Sequence, residues 1–305
     1  MKDKFEIIKV PEMEIELKEK QIFNTDDVVL LEIINNFTKI LERNFMREDL
    51  QLFYSNIGTL KMGSKSIILE ILLSLFKEKT STGLYFLKEN KISVLPLENS
   101  TFISKRIGIS KEEYIANMFH ELLHMSATIT NSKCKTILSG FCQSGKTNIG
   151  IALDDGYVEL LLHRYFGVKN DYITYVYENI ISSLVEKIVT KEIMTSLYFK
   201  ADLYNLVLEL EKYSDINEVE NFIKDLDIIY YLQDYSKHFT EDIIYHHNNI
   251  SSFLVDSYQR KLNDDLNNRI ITSLGYKKRL NEYLKSMHKA FTALEVQNKT
   301  LVKKR

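Results

Sequence analysis

Two histidines four residues apart, with a glutamate directly after the first, carry the most pointed chemistry in this chain. They stand in "FHELLH", Phe119 to His124. On a helix, positions i and i+4 share a face, so both imidazoles can reach one metal ion, and the carboxylate beside them can take a proton from water. A second pattern lies downstream in "GFCQSGKT", Gly140 to Thr147. It fits the glycine-rich loop that cradles nucleotide phosphates, with Lys146 as the phosphate contact. The two patterns ask for different surroundings. The first needs a helix and a third ligand. The second needs a buried parallel strand before it and a helix that begins at Lys146-Thr147.

The surrounding elements separate them. Residues 27–47 and 66–78 have the apolar spacing of helices. "GLYFLKENKISVLPLE" reads as two strands around Glu89-Asn90-Lys91, a hairpin, with Pro96 at the end of an edge strand. Ser110 with Glu113 three residues on is a capping box, and Ile109 with Tyr114 a hydrophobic staple, so a helix begins there and carries His120 and His124 well inside it. "KTILSGFC" reads as a short strand. "DDGYVELLLHRYF" reads as a further helix, with Asp154 as its N-cap and Gly167 closing it. From Asp171 onward the pattern is helical nearly throughout. After Lys146-Thr147 comes "NIGIALDDG", which has no helical stripe, and the second half lacks the strand–helix alternation of a nucleotide-binding sheet. The glycine-rich run is therefore expected to be a turn with a surface lysine, and no nucleotide is expected to bind.

Composition sets the outer limits. The chain has 305 residues, 45% hydrophobic and 27% charged, which is a globular composition with volume for a core. A formal net charge of -2 gives no field for a polyanion, so no nucleic-acid partner is expected. The first twenty residues lack the apolar core of a signal peptide, and no run of about 18 apolar residues spans a bilayer. Cys134 and Cys142 make no disulfide framework and lack metal-ligand spacing. These features lead to the expectation of a cytoplasmic protein with free thiols and no membrane partner.

A catalytic metal site wants three protein ligands and one open position. "ALDDGYVELL" supplies acids on the helix that follows. The order of hairpin, H-E-x-x-H helix and acid-bearing helix resembles the gluzincin-type zinc metallopeptidases, over roughly residues 83–166. The resemblance implies one zinc ion held by His120 and His124, with Glu121 as general base. Asp155 stands where that family's third-ligand Glu would stand. Glu159 stands where some members carry an acid that orients a ligand histidine. Asp is one methylene shorter than Glu, so its backbone must come closer to the metal. Glu159, on the same helical face, is therefore a rival ligand, with Asp155 preferred.

The family also uses a Tyr or His from the second half of the chain to donate to the oxyanion. His163, four residues after Glu159, is the candidate singled out, beside Tyr157, Tyr172, Tyr245, His246 and His247. The implied reaction is peptide-bond hydrolysis by a zinc-bound water activated by Glu121, on a peptide or protein substrate. The hairpin would either hold an extended peptide or only cover the helix. The expected fold is α+β and mostly α. Its zincin-like half, residues 1–170, has a small sheet and the H-E-x-x-H helix; a helical lobe follows over residues 171–305. Two other readings stay open: a non-catalytic helical interaction protein on a zincin scaffold, and a regulatory protease with a single protein target.

Overall fold

The computed structural model describes residues 7, 9, 23, 25–64, 83–94, 109–129, 137–145, 147–172, 174–235 and 241–303. The helix expected over residues 66–78, and Pro96, Cys134 and Lys146, lie outside them. Helices dominate, and the described strands all fall in the first half, so the fold is α+β and mostly α.

The N-terminal half is built on α1 (Val28–Asn44) and α2 (Gln51–Ile57). Asp27 caps α1 by accepting the Leu30 N–H at 3.0 Å. Leu30, Ile33, Ile34, Phe37 and Leu41 recur at helical spacing and are buried. A three-stranded sheet follows, made of β1 (Lys61–Ser64), β2 (Gly83–Phe86) and β3 (Lys91–Val94), in the order β1-β3-β2. The β2–β3 hairpin is the one expected. Asn90 in its turn has φ 46°, a left-handed conformation that Asn tolerates. The Asn90 amide donates to Asn56 O at 2.8 Å and Thr59 Oγ1 at 2.9 Å. β1, parallel to β3, was not foreseen; "KMGS" is too short to show an alternation.

The next helix, α3 (Lys111–Ser126), starts as its cap demands, with Ser110 Oγ accepting the Glu113 N–H at 3.1 Å. Ile109 is buried and Tyr114 half-buried against the core. Met118, Leu122 and Met125 are fully buried, and β2 packs on α3. Then come β4 (Ile137–Ser139), β5 (Cys142–Ser144) and α4 (Ile151–Tyr165). The single strand expected over "KTILSGFC" is thus an antiparallel hairpin turning at Gly140-Phe141. The glycine-rich run begins at the turn of this hairpin and contains β5, and the next helix begins only at Ile151, so its described residues do not form the strand–loop–helix order of a phosphate loop.

A 3₁₀ turn (Asn170–Tyr172) leads into α5 (Val176–Val189), α6 (Lys191–Phe199), α7 (Leu203–Glu211), α8 (Ile216–Tyr235), α9 (Glu241–Asn267) and α10 (Ser273–Lys303). Helix α4 packs on α3, α5 and α8. One apolar cluster runs from Leu30 in α1 to Leu294 in α10, so the core is continuous across residue 170. Among the described residues no helix is long and apolar enough to cross a membrane.

Candidate metal centre

Helices α3 and α4 bring the chemistry together. His120 and His124 stand one turn apart on α3, and their Nε2 atoms face each other at 3.1 Å. From α4, Asp155 Oδ1 lies 3.3 Å from His124 Nε2. The three ligand atoms lie within 4.8 Å of one another and could hold a metal ion.

The far side of each ring is also met by an acid of α4. Asp154 Oδ2 lies 3.0 Å from His124 Nδ1. Glu159 Oε1 lies 3.7 Å from His120 Nδ1. Glu159 thus faces the Nδ1 edge of its ring, while Asp155 faces Nε2. The Asp154 contact is a hydrogen bond of the kind that orients a ring, whereas Glu159 Oε1 accepts the Thr174 N–H at 3.1 Å and stands farther from His120. Asp154 is held in turn by the Phe141 N–H, which donates to its Oδ1 at 2.8 Å.

Asp154 is therefore not the N-cap of α4, as the sequence suggested. The helix starts at Ile151 and its cap is Gly150, at φ 78°. No side chain of its own caps it; Asp227 on α8 accepts the Gly150 N–H at 2.7 Å and the Ala152 N–H at 3.1 Å instead. The earlier start carries Asp154 into the buried part of the helix.

Glu121 is buried and lines the same cavity as the two histidines. That cavity, ≈ 220 Å³, is also bounded by Leu84 and Leu87 of the hairpin, by Cys142 and by Tyr175 and Tyr230. Neither tyrosine stood out in the sequence, where eighteen tyrosines offer no means of choosing. The Tyr230 hydroxyl donates to Asp155 Oδ2 at 2.6 Å, and it lies 3.4 Å from the Tyr175 hydroxyl. The Tyr175 ring centroid is 6.1 Å from that of His120.

The other candidates lie elsewhere. His163 is exposed on α4 and does not line the cavity. Tyr157 is fully buried, with its hydroxyl on Thr195 Oγ1 at 2.7 Å. Tyr172 ends the 3₁₀ turn, and Tyr245 is exposed on α9. His246 pairs with Asp225 at 2.6 Å, and His247 packs against Tyr177 in the helical interior.

Charge in the site is centred on His124. Burial and then the neighbouring His124 push His120 down to about 3, with Asp155 opposing them. Burial also opposes charge on His124, but the hydrogen bonds and charges of Asp154 and Asp155 outweigh it and raise its pKa. Burial works against ionised Asp155 too; its contacts with His124, His120 and Tyr230 win, and its pKa falls. Burial pushes Glu159 up to about 8, and among the described residues its Oε2 has no hydrogen-bond partner. Positive charge is thus favoured on His124, between Asp154 and Asp155, and disfavoured on His120; a metal ion held by the three ligands would displace the His124 proton.

No family model, curated protein or solved structure matches the chain.

Proposed function

We propose that the chain is a zinc-dependent peptidase of zincin type. The observation that carries this reading is the convergence of His120 Nε2, His124 Nε2 and Asp155 Oδ1, with Glu121 in the same cavity. Ligands about 2.0–2.2 Å from a tetrahedral zinc lie about 3.3–3.5 Å from one another. The imidazole nitrogens are 3.1 Å apart and His124 is 3.3 Å from Asp155, near that spacing, and all three ligand atoms lie within 4.8 Å of one another. Two nitrogens and one carboxylate oxygen, with acids behind both rings, form a donor set that suits zinc.

A zinc ion held there would lower the pKa of a water molecule and polarise a carbonyl group. Glu121 then takes the water proton and delivers it to the departing amine. Tyr230 has committed its proton to Asp155, so Tyr175, on the same wall, is assigned as donor to the developing oxyanion. The substrate would be an extended peptide. Among the described residues β2 is the edge strand beside the cavity, with Leu84 44% and Phe86 39% exposed, and such an edge can pair with a peptide backbone. The His120 and His124 side chains are only 15% and 13% exposed, so a substrate would reach them through the cavity.

The test combines metal analysis with turnover on a peptide library. Wild type is expected to carry one zinc per chain. Glu121→Gln should keep the zinc and lose about 10²–10⁴ in rate, the usual worth of a general base. His124→Ala should lose zinc and activity together. A wild-type protein without zinc, or full turnover by Glu121→Gln, would overturn the proposal.

A further inference from the structure

Asp155 does not reach the histidines by the fold of α4 alone. Its second oxygen is taken by Tyr230, at 2.6 Å. Asp227, three residues earlier on α8, accepts the first N–H groups of α4 from Gly150 and Ala152. Residues i and i+3 share one face of a helix, so a single face of α8 grips α4 at two points. Gly150 has no side chain with which to cap α4, and a carboxylate at a helix N-terminus satisfies exposed donors and complements the helix dipole. Asp227 is itself buried. The two contacts do different work. Asp227 fixes where α4 starts, and with it the height of Asp155 along the helix. Tyr230 holds one carboxylate oxygen and leaves the other facing His124 Nε2.

We propose that Asp227 and Tyr230 are positioning residues for the metal: α8 clamps the first turn of α4 so that Asp155 presents a single oxygen to the ion. The proposal rests on the metal-binding reading above. It makes zinc affinity a property of how α8 docks, although neither residue is a ligand. The clamp also answers the departure from Glu to Asp. A shorter side chain has less reach with which to correct a misplaced backbone, so the backbone has to be held from outside.

The experiment measures zinc dissociation constants by chelator competition, visible spectra of the cobalt(II)-substituted protein, and thermal midpoints of the metal-free protein. The variants are Tyr230→Phe, Asp227→Asn, Asp155→Ala, the double variant Asp155→Ala/Tyr230→Phe and, as the control for the metal site, His120→Ala. Loss of a group that orients a ligand costs tenfold to a hundredfold in metal affinity. Tyr230→Phe and Asp227→Asn are each expected to fall in that range and to alter the cobalt ligand-field bands. In the Asp155→Ala background, Tyr230→Phe should change zinc affinity less than twofold, because its target is gone. A merely structural role would weaken binding equally in both backgrounds, and that result would overturn the proposal. So would zinc affinity within twofold of wild type for Tyr230→Phe and Asp227→Asn. If wild type binds no zinc, the metal reading falls and this proposal with it; if wild type binds zinc that His120→Ala abolishes, the clamp is judged on its own.

Discussion

Asp155 and Glu159 sit four residues apart on α4, and sequence alone left both as rivals for the third ligand position. Their positions differ, because the two carboxylates meet different edges of the imidazoles. Asp155 Oδ1 faces the Nε2 side, at 3.3 Å from His124. Glu159 faces the Nδ1 edge of His120, at 3.7 Å. Asp155→Ala should therefore weaken zinc binding by more than the tenfold to hundredfold expected of Glu159→Gln, since an orienting acid costs that much and a ligand more. Chelator competition on the two variants decides it, and a larger loss from Glu159→Gln would transfer the ligand role. The motif residues were legible because an i, i+4 pair on a capped helix needs only local rules. The structure departs from the expected Asp154 cap for an equally local reason. A sequence rule looks for a capping side chain just ahead of the helix, and here the cap residue is Gly150, with a left-handed backbone, and the carboxylate that accepts the first N–H groups comes from Asp227, remote in the chain.

At the scale of elements, the site depends on how closely α4 can lie against its neighbours. A Cβ on Gly156 would come within 2.3 Å of the Glu178 carbonyl oxygen in α5. That oxygen is backbone and cannot swing aside, so α4 and α5 would have to separate. Gly156→Ala is expected to destabilise the protein by about 1–3 kcal/mol, the usual cost of forcing extra volume into a packed interior. Gly275 makes a useful contrast. It lies in the first turn of α10, and an added Cβ would meet nothing closer than Thr272 Oγ1 at 3.5 Å. There alanine should stabilise, by up to about 1 kcal/mol, through helix propensity. Denaturant midpoints of the two variants should move in opposite directions; equal stability of Gly156→Ala and wild type would refute the close-packing account. The glycine that follows Asp155 thus has a packing reason. Sequence could place a glycine there but not name its neighbour, because Glu178 lies on a different helix.

For the whole molecule, the sequence disclosed the sheet-then-helices order but not what the second half does for the first. His247 was a candidate for chemistry in the sequence; the structure makes it a joint between three helices. Its Nδ1 meets the Tyr177 hydroxyl of α5 at 3.0 Å and its Nε2 meets Ser251 Oγ of α9 at 3.2 Å. The ring lies 5.0 Å from Phe291 of α10, centroid to centroid. Burial pushes its pKa down to about 4. Below its ordinary value of about 6.5 the unfolded chain takes up a proton that the folded chain refuses. The contribution is therefore full above pH ~6.5, falls as pH drops towards ~4, and stays level below that. Glu159 and Asp227, raised to about 8 and about 7, slope the other way, because there the folded state holds the extra proton. Total stability against pH would blur these terms, so the comparison has to be with His247→Gln, which lacks one of them. The stability of wild type relative to His247→Gln should decline by on the order of 2 kcal/mol between pH 6.5 and 4, after allowance for partial solvent contact. Urea titrations of both proteins across that window measure it. A difference that stays constant with pH would mean that His247 titrates alike folded and unfolded, and that the helical interior around it is open to water.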